Sequence, residues 1–208
     1  MAFSFYLNME KLTLEIAQQH IECMTDQNHA VFDGVIDDIY IDDVAFKNNL
    51  ANGFVAITQL SCFFESFLNT ILNSCINYSG EDLLKCNTNE KIELIFLYYN
   101  KDFTLIKSTH NYEVYRITTK VRNELIHFKN TYIGDSSGLF NFELCKNIKV
   151  GDYFTKRNLS NIYENYIDLS KAIANALGLL IYDDVDIFAC DGRDMLINYV
   201  MNSNDINI

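Results

Sequence analysis

Apolar residues recur every three or four positions through most of this chain, which is the spacing of one face of an α-helix. The longest such segment extends over about residues 44–77 and has the widest apolar face. No Pro occurs anywhere to remove an amide donor or to clash with a preceding turn. The pattern therefore predicts a mostly α-helical fold around a long central helix. Further helices are predicted at about 9–24, 81–86, 87–100, 110–129 and 158–177.

Three stretches depart from helical spacing. Residues 132–154 contain two Gly-bearing turns and alternating apolar positions, which predicts a β-hairpin or an extended excursion. Residues 35–43 alternate Val and Ile with Asp, which favours a strand or an irregular acidic connector, and residues 100–109 are expected to form a loop.

Several polar residues and one Gly are expected to mark helix ends. Asp42 or Asp43 is the expected N-cap of the central helix, and Thr88 or Asn89 that of the next. Gly178 is expected to end the last long helix. Residues 1–208 are predicted to form a single domain, with a core at about 44–177, an N-terminal helix and a C-terminal appendage.

The charge balance limits the possible partners. The net charge of −12, with a pI near 4.6, is unfavourable for a general nucleic-acid binder, because Lys and Arg supply the phosphate contacts. Any contact with nucleic acid is therefore expected to be local, and a partner with a basic surface is equally compatible.

Targeting signals and metal-binding patterns are not evident in the sequence. Six scattered cysteines form no CxxC pair, the first residues lack the features of a signal peptide, and no run of 18 apolar residues occurs. We expect a reduced, cytoplasmic protein with no membrane span, no metal and no cofactor.

One polar line interrupts the central helix. Ser61, Glu65 and Asn69 repeat at intervals of four residues and so share one side of that helix. One interpretation is that this line faces solvent. The other is that Glu65 meets a cation from a different helix, since a buried carboxylate requires a partner, and Arg122 is the favoured candidate.

The helix at 110–129 carries the most concentrated polar cluster. Its expected core face consists of Val114, Ile117, Val121, Leu125 and Phe128. Arg116, Lys120, Asn123 and His127 fall on the opposite side. Arg122 lies on the flank, and with Lys129 it completes the densest group of cations in this acidic chain. These polar residues are either the solvated side of an amphipathic helix or a functional site.

The segment RNELIH, which runs from Arg122 to His127, resembles the Arg-polar-three residues-His motif of the HEPN superfamily (higher eukaryotes and prokaryotes nucleotide-binding). It lies late in an amphipathic helix, about 50 residues after the FFESFLN segment that contains Glu65 and Asn69. That earlier segment resembles the family's helix with an acidic residue near the motif. The resemblance covers roughly residues 44–177.

The resemblance implies an up-and-down helical bundle and a homodimer in which two motif helices face each other. It also implies a metal-independent endoribonuclease, in the manner of a toxin or defence effector with an antitoxin or other regulator. His127 would be the acid or base in attack of the RNA 2′-hydroxyl, Arg122 would bind the phosphate, and Asn123 would position it. Glu65 and Asn69 would support this site. Arg116, Lys120 and Lys129 are the expected RNA-binding cations.

The chain departs from one subgroup of the family at Lys129. In that subgroup an antitoxin modifies a Tyr two positions after the His, where this chain has Lys. HEPN-like proteins also include interaction or assembly modules without catalysis. The expected alternative to a ribonuclease is therefore a non-catalytic module of this kind.

Overall fold

A computed structural model describes residues 6–26, 28–31, 39–76, 85–127, 136–180, 188–189 and 201–202. About 77% of the interpretable residues are helical, which confirms the predicted fold class. The long central helix begins and ends within one residue of its predicted bounds. The helices are α1 (Met9–Glu22), α2 (Asp43–Ile76), α3 (Thr88–Tyr98), α4 (Thr104–Lys107), α5 (His110–Ile126), α6 (Ser136–Phe140), α7 (Val150–Tyr153) and α8 (Lys156–Leu177).

The described strands form two-stranded antiparallel pairs. The predicted excursion contains one of these pairs, the β4–β5 hairpin. The short helices α6 and α7 precede and follow this hairpin, and the sequence pattern did not indicate these two helices. Residues 35–43 likewise include the second strand of a hairpin, β2–β3. The strands are β1 (Tyr6–Leu7), β2 (His29–Val31), β3 (Ile39–Ile41), β4 (Glu143–Cys145), β5 (Ile148–Lys149), β6 (Leu179–Leu180), β7 (Phe188–Ala189) and β8 (Met201–Asn202), with β1 paired to β7 and β6 to β8.

Polar side chains satisfy the free amides at the helix starts. Asp42 Oδ1 accepts from the backbone N–H groups of Val44 and Ala45 at 3.1 and 3.0 Å, so Asp42 is the N-cap of α2. The expected cap of α3 was wrong. Asn87 takes that role, because only this position has a Glu three residues later, and Glu90 completes a reciprocal capping box.

The predictions for the end of α8 and for the region before α5 had different results. Gly178 follows α8 with φ 75°, as expected for a residue that ends a helix in the left-handed region. The expected loop at 100–109 contains helix α4 instead. Asp102 accepts hydrogen bonds from the hydroxyl and the backbone N–H of Thr104, which start this turn and lower the pKa of the Asp102 carboxyl. Most of the short helix expected at 81–86 lies outside the described residues.

The chain divides into two compact units. The first unit comprises residues 1–14, 61–113 and 166–208, and the second comprises residues 15–60 and 114–165. Because the boundaries fall inside α1, α2, α5 and α8, the units are not successive domains along the chain. The core of the first unit includes Phe64, Phe67, Leu68, Ile71, Ile92, Phe96, Tyr166 and Leu169. The core of the second includes Ala17, Phe46, Ile57, Leu60, Tyr115, Val121, Phe154 and Leu159.

Helix α2 is long and apolar enough to cross a membrane by length and composition alone. More than half of its most apolar window is nevertheless buried within the protein. Core helices with buried apolar faces pass the same test, and the burial explains why the apolar face of α2 is so wide.

Candidate functional site

The buried side of α5 differs from the predicted one. Tyr112, Tyr115, Thr118 and Val121 are buried, whereas of the expected core residues only Val121 is, and Val114, Ile117 and Leu125 are half-buried. Phe128 lies outside the described residues. Thr118 tolerates burial because its hydroxyl accepts a hydrogen bond from the Tyr153 hydroxyl at 3.0 Å. Apolarity alone did not indicate that such a partner was available.

The opposite side of α5 is exposed and charged. Arg116, Lys120, Asn123 and His127 are all exposed, in agreement with the helical projection. Two carboxylates share this side, because Glu113 and Glu124 are also exposed and fall within the same arc of the helix. They offset half of the positive charge that was expected of a patch of four cations. Lys129 lies outside the described residues.

The guanidinium of Arg122 turns toward this exposed side. Arg122 is half-buried, and its Nη1 donates to Asn123 Oδ1 at 3.2 Å. Its Nε is buried and has no hydrogen-bond partner among the described residues. A buried guanidinium N–H without an acceptor is unusual in a folded protein. The described residues therefore satisfy the hydrogen-bonding groups of this side chain only in part.

His127 follows directly on the last residue of α5. Its backbone N–H donates to the carbonyl of Asn123 at 3.0 Å, which continues the helical winding and keeps the two side chains on one side. Both side chains are exposed. Neither is buried within one protomer, so the hypothesis of a site completed by a second copy still stands.

The β4–β5 hairpin belongs to the same unit as the motif and lies close to its charged side. Burial raises the pKa of the half-buried Cys145 thiol, and the nearby Glu124 carboxylate raises it further, while Lys120 acts in the opposite direction. Charges act on the thiol only over short distances. The hairpin is therefore a neighbour of Lys120 and Glu124, which sequence spacing did not indicate.

The polar line of α2 has a different partner from the one expected. Glu65 Oε1 lies 2.6 Å from Nζ of Lys91 on α3, so the carboxylate does meet a cation from another helix. Arg122 was the candidate favoured for this role, and that prediction was wrong. Lys91 stands between Glu90 and the apolar Ile92 and resembles an ordinary surface lysine, so the sequence did not indicate it. Asn69 Oδ1 is buried without a hydrogen-bond partner among the described residues. Glu65 and Asn69 belong to the first unit and the motif to the second, and their supporting role stays a prediction.

A small cleft that the sequence did not indicate lies between α1 and α8 in the second unit. Its volume is about 150 Å³. Burial raises the pKa of the Tyr163 phenol in its wall, and the carboxylates of Glu164, Glu15 and Glu22 raise it further. Two carboxylates, Glu22 and Glu164, and one ammonium, that of Lys156, line the cleft. It is lined by Gln18, Ile21, Glu22, Lys156, Ser160, Tyr163 and Glu164.

Among the described residues, no group of three or more His, Cys, Asp or Glu side chains is arranged to hold a metal ion. Comparisons of the chain with protein-family models, with curated proteins and with solved structures give no match.

Proposed function

We propose that the protein is a metal-independent endoribonuclease of the HEPN type, acting in the cytoplasm as a toxin or defence effector. One observation carries the proposal. The guanidinium of Arg122 is hydrogen-bonded to Asn123, and Asn123 and His127 stand one helical turn apart on the exposed side of the same helix end. A phosphodiester that approaches this side meets a cation, an amide and an imidazole together.

The reaction is a transesterification within the RNA. An imidazole takes the proton of the 2′-hydroxyl, and the 2′-oxygen forms a bond to the adjacent phosphorus. The bond from phosphorus to the 5′-oxygen breaks, and the leaving oxygen takes a proton from a general acid. The products are a 2′,3′-cyclic phosphate and a 5′-hydroxyl end. The guanidinium of Arg122 offers a planar fork to the phosphate oxygens and stabilises their negative charge.

A second copy completes this mechanism. The two proton transfers require a base and an acid, and one motif supplies one imidazole, His127. A homodimer with its two α5 helices facing each other supplies the partner's His127 for the other transfer. Arg116, Lys120 and Lys129 contact the flanking phosphates, and an antitoxin or other regulatory protein covers the same surface.

A non-catalytic interaction module is the second candidate, and Glu113 and Glu124 favour it. Both carboxylates share the exposed side of α5 with Arg116 and Lys120. Mixed charges of this kind suit a protein partner better than a polyanion, since phosphate binding depends on net positive charge.

A cleavage assay separates the two candidates. The full-length protein is incubated with mixed RNAs in EDTA beside His127→Ala and Arg122→Ala. The matched controls are His110→Ala, at an exposed His at the other end of α5, and Arg157→Ala, at an exposed Arg on α8. We expect a loss of about 10²-fold or more for the two motif variants only. Equal background cleavage in all five proteins would support the interaction module instead.

A further inference from the structure

Helix α3 is apolar on two sides. Its inner side is buried in the first unit through Ile92, Ile95 and Phe96. Its outer side also carries large apolar residues, with Leu94 40% exposed, Leu97 77% exposed and Tyr98 56% exposed. By helical projection, Leu97 points almost directly away from the buried side.

A helix on the surface of a protein normally has a polar outer side. Single exposed leucines are common, but several large apolar side chains on adjacent turns of one helix mark an interaction surface. Leu97 and Tyr98 lie three and four residues after Leu94, so both are neighbours of Leu94 on the next turn of the helix. The outer side of α3 is thus suited to contact another apolar surface.

The two ends of this stripe carry opposite charges. Glu90 lies in the first turn of α3, and Lys101 lies just beyond its last turn. Lys101 is held at the helix end by a Schellman motif. Asn100 is in the left-handed region with φ 52°, and the backbone N–H of Lys101 donates to the carbonyl of Phe96 at 2.9 Å. We call Glu90, Leu94, Leu97, Tyr98 and Lys101 the α3 stripe.

The α3 stripe is complementary to itself. Glu90 and Lys101 are equidistant in sequence from the midpoint between Ile95 and Phe96, and so are Leu94 and Leu97. If two such helices pair antiparallel about a two-fold axis, Glu90 faces the partner's Lys101, and Leu94 faces the partner's Leu97. A two-fold interface requires this reciprocity, since each contact occurs twice.

We infer that the α3 stripe is a self-association surface that binds the same stripe of a second copy of this chain. The surface is distinct from the motif helix α5, and the inference does not depend on the proposed ribonuclease activity. Three apolar residues and two charges per copy make a small interface, below about 1,200 Å² in total. We expect a weak association, with a Kd on the order of 10 µM.

Sedimentation velocity of the full-length protein over a range of concentrations tests the apolar part of the stripe. Leu97→Asp is expected to raise the Kd of one association step at least about tenfold, because it places a carboxylate at the centre of the interface on both copies. Val44→Asp on α2 is the matched control, at an aliphatic residue that is 80% exposed, and is expected to leave the Kd unchanged. If Leu97→Asp changes the Kd of no association step, the proposal is wrong.

A charge exchange tests the pairing itself. Lys101→Glu and Glu90→Lys each place like charges opposite one another in their own homodimers, so each variant is expected to associate several-fold more weakly than the wild type. Mixed together they restore both opposite-charge contacts, and the mixture is expected to associate more tightly than either variant alone. Circular dichroism checks that Glu90→Lys remains folded without its capping box.

Two further outcomes would overturn the inference, one from the charge exchange and one from a variant of α5. The first is a mixture that associates no better than its separate components. The second is association that is lost in Ile126→Asp, at the exposed end of α5, and is retained in Leu97→Asp, which would assign self-association to the motif helix alone.

Discussion

Two polar clusters on amphipathic helices are satisfied in opposite ways in this protein. Lys91 and Glu65 form a closed pair, in which a lysine side chain that is 1% exposed contacts one carboxylate at 2.6 Å. Arg122, Asn123 and His127 form an open cluster, in which two side chains are exposed and one guanidinium N–H has no partner among the described residues. The sequence showed the open cluster as a group of neighbouring residues, whereas the partners of the closed pair are 26 positions apart. The difference lies in whether their hydrogen bonds are completed within the protomer.

The closed pair contributes to folding, and the open cluster is available for a ligand. An ammonium removed from water requires a partner, so evolution cannot change Glu65 without a consequence for the fold. Exposed polar groups are solvated, and their identity has little effect on stability. The open cluster is therefore the better candidate for function, although the buried lysine of the closed pair is the rarer structural feature.

The largest expected effect on stability is that of Glu65→Ala. This substitution leaves the ammonium of Lys91 buried and unpaired, and we expect the free energy of unfolding to fall by about 3 kcal/mol, which urea denaturation measures. Glu93→Ala is the matched control, because Glu93 pairs at 2.9 Å with Lys107 in an exposed salt bridge. A much smaller change is expected there. Equal effects of the two substitutions would mean that the buried lysine makes the closed pair no more important for stability than an exposed salt bridge.

Tyr153→Phe tests the buried side of the motif helix. Removing the hydroxyl leaves the buried Thr118 without this hydrogen bond, at an expected cost of about 1.5 kcal/mol at pH 7 in urea denaturation. A change below the error of the measurement would show that Thr118 is satisfied in another way.

The same substitution has a pH signature. Burial raises the pKa of Tyr153 well above its usual range, against the opposing effect of the Thr118 hydrogen bond. A raised phenol pKa means that the folded state holds the proton more tightly, so this contribution to stability is complete below about pH 10 and is lost as the pH rises further. The stability of Tyr153→Phe should therefore fall less steeply above that pH than the stability of the wild type.

A smaller effect is expected from Lys91→Met. Methionine keeps much of the buried side-chain volume and removes the charge, while the remaining Glu65 is 52% exposed and can be solvated. We expect a loss of about 1 kcal/mol or less in the same denaturation experiment. A loss as large as that of Glu65→Ala would mean that the pair stabilises the fold symmetrically, contrary to the burial of its two members.

The smallest effect is expected at the open cluster. Arg122→Ala and His127→Ala should change the free energy of unfolding by no more than about 0.5 kcal/mol. His127 is exposed, and Arg122 bonds the exposed Asn123 and leaves its buried Nε without a partner among the described residues. Thermal denaturation beside the RNA cleavage assay measures this directly. A loss of several kcal/mol in either variant would make the cluster structural and would weaken its assignment as a site.

Local patterns predicted most of the described helices. The bounds of α2, the Asp42 cap and the Gly178 terminus depend on hydrophobic spacing and on hydrogen bonds within a few residues, and all of these are visible in the sequence. The prediction failed where a polar side chain started a short helix, as Asp102 does for α4. It also failed on the inner side of α5, where Thr118 takes a position expected for an apolar residue.

The candidate site was predictable only in its exposed part. Helical geometry placed Asn123 and His127 on one side of α5, and the structure has both exposed. Helical geometry could not indicate that Cys145 of the β4–β5 hairpin is within electrostatic range of Lys120 and Glu124, nor that Lys91 is the cation bound to Glu65. These interactions join residues more than 20 positions apart. Neither could helical geometry indicate that large apolar side chains on the outer side of α3 are exposed.

By itself the sequence determined the helical class, the central helix and the side of α5 on which the motif stands, because hydrophobic spacing acts within one or two turns. Only the tertiary structure decided which of the described polar groups have hydrogen-bond partners within the protein and which do not. Two helices that are each amphipathic can pack in several registers, and the register selects the partner of every buried polar atom. In this way Lys91 forms a salt bridge with Glu65, whereas Arg122 has an N–H without an acceptor among the described residues.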